Sequence, residues 1–202
     1  TTSNTVTWTG ATDSDWATAS NWDTGTVPSA TDNVSIPEVT NAPFIGASTA
    51  AVCNNLTITE TDGLVINSGG SLIVNGTSSG NVTYNRNLGT ENWYLVSSPV
   101  AGQTYDNAYI ASNSLAINGT NNAIAAYTPA DNTWAYMQTG GSNSFMAGQG
   151  YSVRRETSAG AGDISFTGTI NTDDVSYNPK PGFNLIGNPF TASINTADLL
   201  TD

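Results

Sequence analysis

The sequence predicts an all-β chain: a short β-helix or β-roll, or else a meander of hairpins, followed by an antiparallel β-sandwich. Three observations predict it. Polar positions are filled mainly by Thr, Ser, Asn and Gly, with a single Lys (Lys180) and four Glu in 202 residues, so the usual occupants of exposed helix positions are scarce. Thr suits a pleated surface, and Asn, Ser and Gly suit turns. Apolar residues come in short runs bounded by those turn residues, the pattern of strands rather than helices. Five Trp, eight Tyr and five Phe then give the runs enough bulk to form cores, which separates the chain from a disordered acidic one.

Thr5-Val6-Thr7-Trp8-Thr9 alternates with period two and reads as the first strand. A polar loop carrying Trp16 and Trp22 follows, and the three tryptophans are expected to cover the end of the first domain. Val27-Pro28 marks a turn and Val34-Ser35-Ile36-Pro37 a short strand. Leu56-Thr57-Ile58, Leu64-Val65-Ile66 and Leu72-Ile73-Val74 are apolar runs at an eight-residue spacing, separated by Thr61-Asp62-Gly63 and Asn67-Ser68-Gly69-Gly70 and closed by Asn75-Gly76. Hairpins produce this pattern, with Asn-Gly as their signal, and so does a β-helix in which each run is one side of a coil. Even spacing with Leu and Ile turned inward fits the coil somewhat better. Thr77-Ser78-Ser79-Gly80 is polar and small and reads as a linker, dividing the chain into domains 1–79 and 80–202.

The second domain carries an internal echo. Val82-Thr83-Tyr84-Asn85 leads to Trp93–Val100, and Val175-Ser176-Tyr177-Asn178 leads to Phe183–Phe190, each reading as strand, turn and proline-stopped strand. Between them lie Ile124–Tyr127, Thr133–Met137, Gly150–Val153 and Ile164–Gly168, short strands that predict a sandwich. Asn195 to Leu200 alone has a helical look, and the ending Ala197–Asp202 lacks a closing strand, so a longer multidomain protein is expected.

Sixteen acidic against four basic residues give a net charge of −12, which disfavours nucleic acid and anionic membrane surfaces as partners. No apolar run reaches the length of a membrane span. The chain has no histidine, which removes imidazole bases, His-based triads and His metal sites from its chemistry. Cys53 is the sole cysteine and reads as a small buried apolar residue.

Trp8-Thr9-Gly10, Asp15-Trp16, Asn21-Trp22, Val27-Pro28 and the Val34–Pro37 strand resemble a recurrent segment of very large surface proteins. Ser97-Ser98-Pro99-Val100, Phe145 with Gly148-Gln149-Gly150-Tyr151, and Asn184-Leu185-Ile186-Gly187-Asn188-Pro189-Phe190 are similar to regions near the C-termini of the same proteins. These are the adhesion and gliding proteins of Bacteroidetes exported by the type IX system. The resemblance implies an extracellular or outer-surface protein with adhesive or polysaccharide-related duties.

Among side chains that carry chemistry, aromatics come first. Sugar rings stack their C–H faces on Trp and Tyr while Asn, Asp and Arg bond the hydroxyls. Trp134 and Tyr136 share a strand face, and Tyr151, Arg154 and Arg155 lie in one run, so these five are the candidate ligand-binding residues. Arg154 and Arg155 face opposite sides, so one of them reaches a given ligand, and a glycan carboxylate or sulfate suits it. Core packing is the other reading of these aromatics, and pairing with Glu156 or Asp163 the other reading of the arginines. Trp93, Phe183 and Phe190 read as core. Asp13 and Asp15, with Asp32 further along, have a loop spacing that suits Ca²⁺ or else simple solvation. The expected function is a non-catalytic module for adhesion or polysaccharide binding. A structural spacer without a ligand is the alternative, and a glycosidase or lyase working with two carboxylates is the third reading.

Overall fold

The computed structural model of the chain describes residues 4–61 and 63–199. In its first part, β1 (Thr5–Thr7), β2 (Asn33–Ile36), β3 (Phe44–Ile45), β4 (Ala50–Cys53), β5 (Leu56–Ile58), β6 (Leu64–Ile66), β7 (Ser71–Val74) and β8 (Ser78–Ser79) lead into β9 (Val82–Leu88). Strands β1, β2, β5 and β8 pair in parallel, as do β3, β6 and β9, and β4 with β7. Hairpins would pair antiparallel, so this part is a β-helix with three sides, and the runs at Leu56, Leu64 and Leu72 are the sides of one coil. Inward residues stand over one another: Val6 on Val34 on Leu56, Ile45 on Ile66, and Ala51 on Leu72.

Three tryptophans plug the first coil. Trp8, Trp16 and Trp22 are buried, with Trp8 and Trp16 each edge-on to Trp22 at 4.9 and 4.7 Å. Trp8 Nε1 donates to Asn41 O and Trp22 Nε1 to Trp16 O. Trp16 is carried there because Asp15 bridges in parallel to Phe44, which gives the first coil a side beneath β3. Cys53 is fully buried, and burial pushes its thiol up to about 12.

The segment expected to be a linker is ordered as the last coil. Ser78 and Ser79 pair with Leu56 and Thr57, Leu56 N–H donates to Thr77 O, and Thr77 N–H to Asn55 Oδ1. Gly80 has φ +86° and lies against the Ile58 backbone, where a side chain would collide with its carbonyl. Small polar residues are needed here for close approach, and flexibility is not what they supply. Of the turn at Thr61-Asp62-Gly63, Asp62 lies outside the described residues.

The second part comprises β10 (Tyr94–Val96), β11 (Val100–Ala101), β12 (Thr104–Asp106), helix α1 (Asn107–Ser112), β13 (Ile117–Asn118), β14 (Asn121–Thr128), β15 (Thr133–Gln138), β16 (Ser142–Ser144), β17 (Tyr151–Val153), β18 (Gly162–Ile170) and helix α2 (Thr196–Leu199). One antiparallel sheet runs β10-β17-β14-β13, with β15 also on β14. The facing sheet is shared: β9 pairs in parallel with β6 and antiparallel with β18, giving the order β11-β18-β9-β6-β3 across position 79/80. Between the two sheets lie Tyr105, Tyr109, Phe145, Tyr151 and Phe166, ring on ring at 4.8 to 6.4 Å.

Two expectations need correction. The second copy of the echo is not a pair of strands: Val175–Asn178 is irregular, and Phe183–Phe190 makes one isolated bridge, Ile186 to Gln149. Pro179, Pro181 and Pro189 bring no N–H to a ladder. The segment serves instead as a strap, with Ser97 Oγ donating to Asn188 O, Leu72 N–H to Thr191 O and Thr191 Oγ1 to Leu72 O. Helix α1 was not foreseen either. Asp106 caps it by accepting the Tyr109 N–H, and its short turn buries Tyr109 and Ile110. The helical look at Asn195–Leu200 corresponds to α2, and Leu200 lies outside the described residues.

Candidate functional site

The outer face of the sheet built on β14 presents a row of side chains fixed by register. Leu95 pairs with Ser152, Ser152 with Ala125, and Ala125 with Tyr136, so these four share the face that points away from the core. Two small residues in the middle lower the floor between larger ones. Two residues along β15, Trp134 pairs with Tyr127 on the same face, edge-on at 5.3 Å. Two residues before Leu95, Trp93 turns outward as well and meets Tyr136 edge-on at 6.0 Å.

A groove of about 430 Å³ opens beside that contact. Trp93 (47% exposed) and Tyr136 (39%) form its aromatic wall, and Ile117 its apolar lip. Asn118, Asn121, Asn122 and Arg154 supply the polar side. Asn121 Oδ1 is held by Gln138 Nε2 at 2.7 Å. Asn122 is buried and its Nδ2 has no hydrogen-bond partner among the described residues. Arg154 is braced, with Nε donating to Glu91 O at 2.9 Å and Nη2 to Thr157 Oγ1 at 3.3 Å. Among the described residues lining the groove none is acidic. Rings beside amides and a guanidinium can hold a sugar by stacking and hydroxyl bonding together.

The five expected ligand residues separate. Tyr136 and Arg154 meet in the groove. Trp134 shares their face, 39% exposed, but stands outside the groove lining. Tyr151 is in the core: its ring lies 5.7 Å from Tyr105 and 4.8 Å from Phe145, and its hydroxyl accepts the Met146 N–H. No ligand can stack on a ring at 1% exposure. Burial raises the Tyr151 pKa, with the Met146 hydrogen bond working against it. Arg155 points to the other side, where it donates to the carbonyls of Asn113, Gly160 and Asp163 and clamps the turn before β18. Neither arginine takes up the pairing expected with Glu156 or the Asp163 carboxylate; their bonds go chiefly to backbone oxygen.

Trp93 is the groove residue that sequence reasoning placed in the core, and Phe183, also expected there, is exposed on the strap. Trp93-Tyr94-Leu95-Val96 is apolar on both strand faces, so alternation could not say which pair points out. Asn118, Asn121 and Asn122 were missed because amides at a hairpin read as turn formers.

The carboxylates of the acidic loop are engaged in their own turns. Asp13 Oδ1 accepts from Asp15 N–H and Asn21 Nδ2, and Asp13 Oδ2 from Thr18 Oγ1. Asp15 Oδ1 accepts the Ala17 N–H, and Asp32 Oδ2 the Ser29 N–H and hydroxyl. Each carboxylate closes its own turn, and among the described residues no three acidic or thiol side chains converge on one point. The Asp15 N–H bond, then Asn21, hold Asp13 below the usual carboxylate range; the Ser29 hydroxyl, then its N–H, do so for Asp32.

A family model described as a domain of unknown function (DUF8693) matches residues 7–79, the β-helical part through β8. No curated protein matches the chain, and no solved structure does. No helix among the described residues is long and apolar enough to cross a membrane.

Proposed function

We propose that this chain is a non-catalytic extracellular module that holds polysaccharide for adhesion, stacking sugar rings on exposed aromatics of the sandwich. The carrying observation is the groove where Trp93 and Tyr136 stand open beside Asn118, Asn121 and Arg154. Exposed large aromatics cost solubility and usually mark a contact surface. The resemblance of its sequence motifs, Trp8-Thr9-Gly10 and Asn21-Trp22 among them, to type IX-exported surface proteins is the ground for placing it at the outer cell surface. Affinity electrophoresis against a panel of polysaccharides tests the reading. Retardation by at least one glycan, lost in Trp93→Ala and Tyr136→Ala with the unfolding midpoint kept, is the expected result. No retardation by any member of a broad panel overturns it. The structural spacer is then the better reading, favoured by the single sheet from β3 to β11 that joins the two parts without a hinge.

A further inference from the structure

We infer that the groove selects an anionic glycan, a pyranose bearing a carboxylate, with Arg154 as the partner of that carboxylate. This rests on the reading of the groove as a glycan site and adds the class of glycan. The first observation is a local inversion of charge. The chain carries sixteen acidic and four basic side chains, yet Arg154 is the one charged residue lining the groove. Carboxylates bond hydroxyls well, so a groove for neutral sugar could use one, yet the single charge set beside these rings is positive.

The second observation is unused donor capacity. Arg154 is held by Nε on Glu91 O and by Nη2 on Thr157 Oγ1, which orders the guanidinium before any ligand arrives, and its Nη1 has no partner among the described residues. A planar guanidinium matches the two oxygens of a carboxylate. A single cation suits a singly charged group. The Trp93 and Tyr136 rings, inclined at 68°, form a notch in which one face takes the pyranose ring while the other ring closes its edge.

Calorimetric titration of the whole chain tests this with short oligomers of alginate, polygalacturonate and hyaluronate, each beside its carboxyl-reduced form. The reduced form keeps ring and hydroxyls and loses the charge. We expect at least one acid to bind about tenfold or more tighter than its reduced partner, the scale of a charge-assisted bond. Arg154→Gln should erase that ratio and Arg154→Lys should keep part of it, with unfolding midpoints matched to the parent. Equal binding of acid and reduced forms, or a ratio that survives in Arg154→Gln, overturns the inference while leaving a glycan site standing. A sulfated glycan preferred over every uronate overturns it too. Absence of binding to all of these and to neutral polysaccharides overturns both this inference and the glycan reading beneath it.

Discussion

The β-helix and the sandwich solve the same problem, burying apolar residues from a Thr- and Asn-rich chain, in opposite ways. The helix stacks like on like, one short inward run per side, and closes its first coil with three tryptophans. The sandwich faces two sheets across five aromatic rings and carries Leu95, Trp134 and Tyr136 exposed on its outer sheet face. Aromatics in the first part are therefore all structural, whereas the second part has two populations, one inside and one at the surface. The proposed glycan site is drawn from the population at the surface.

The largest effect that would sharpen this contrast is Trp22→Ala. Trp22 is the ring both other tryptophans touch, so its loss opens a cavity and strips two edge contacts. A destabilisation of about 3–5 kcal/mol is expected in chemical denaturation. A loss below 1 kcal/mol would mean the plug is not what closes the first coil. Gly80→Ala comes next, at about 1–3 kcal/mol, because a side chain at φ +86° is strained and meets the Ile58 carbonyl. A neutral outcome would restore the reading of Thr77–Gly80 as a loose linker.

Those two positions also show what was legible. The Leu56, Leu64 and Leu72 runs disclosed the side of a coil because inward burial at each side needs apolar residues at even spacing. The adjoining coil was dimmer. Its sides are β2, β3 and β4, where Phe44-Ile45 is a two-residue strand with too little alternation to read. Gly80 was visible as a glycine, but whether it served freedom or close approach depends on Ile58, which sits one coil away in sequence. The same limit hid the groove. Trp93 meets Tyr136 and Arg154 only because β10, β14, β15 and β17 are neighbours in one sheet, a fact of pairing order that no local pattern carries. Tyr151 and Arg154, close in the chain, part company for a local reason: period-two alternation sends them to opposite faces. The echo misled because apolar content suggested strands where three prolines deny the ladder its donors.

Acid separates the two parts further. The carboxylates held below their usual range, Asp13, Asp32 and Glu38, all lie in the β-helix turns, Glu38 through the Thr61 N–H and hydroxyl. Between their folded values and the usual 3.8 to 4.5 the unfolded chain binds more protons, so stability from these groups is present above that range and lost as pH falls through it. Burial raises Tyr105 to about 12 in the sandwich and Cys53 to about 12 in the helix. Raised values work the other way: stability is full below 9.0 for the thiol and 10.0 for the phenol, and drains as pH rises towards 12. Thermal unfolding across pH should show acid loss weakened by Asp13→Asn with Glu38→Gln, and alkaline loss weakened by Tyr105→Phe. An acid limb unmoved by those substitutions would mean that the turns do not carry it.

The smallest expected effect on stability is the most telling for function. Trp93→Ala removes a large ring, as Trp22→Ala does, but one that is 47% exposed and touches Tyr136 by its edge alone. Its cost should be about 0.5–1 kcal/mol in the same denaturation experiment. Chemistry of the side chain is constant between the two substitutions, so the difference isolates burial. A loss near that of Trp22→Ala would show that Trp93 holds the sandwich together, and the spacer reading would gain. A small loss joined to failure of glycan retention would show a ring kept at the surface for what it binds, since a tryptophan that stabilises little and exposes an apolar face has no other reason to stand beside Arg154.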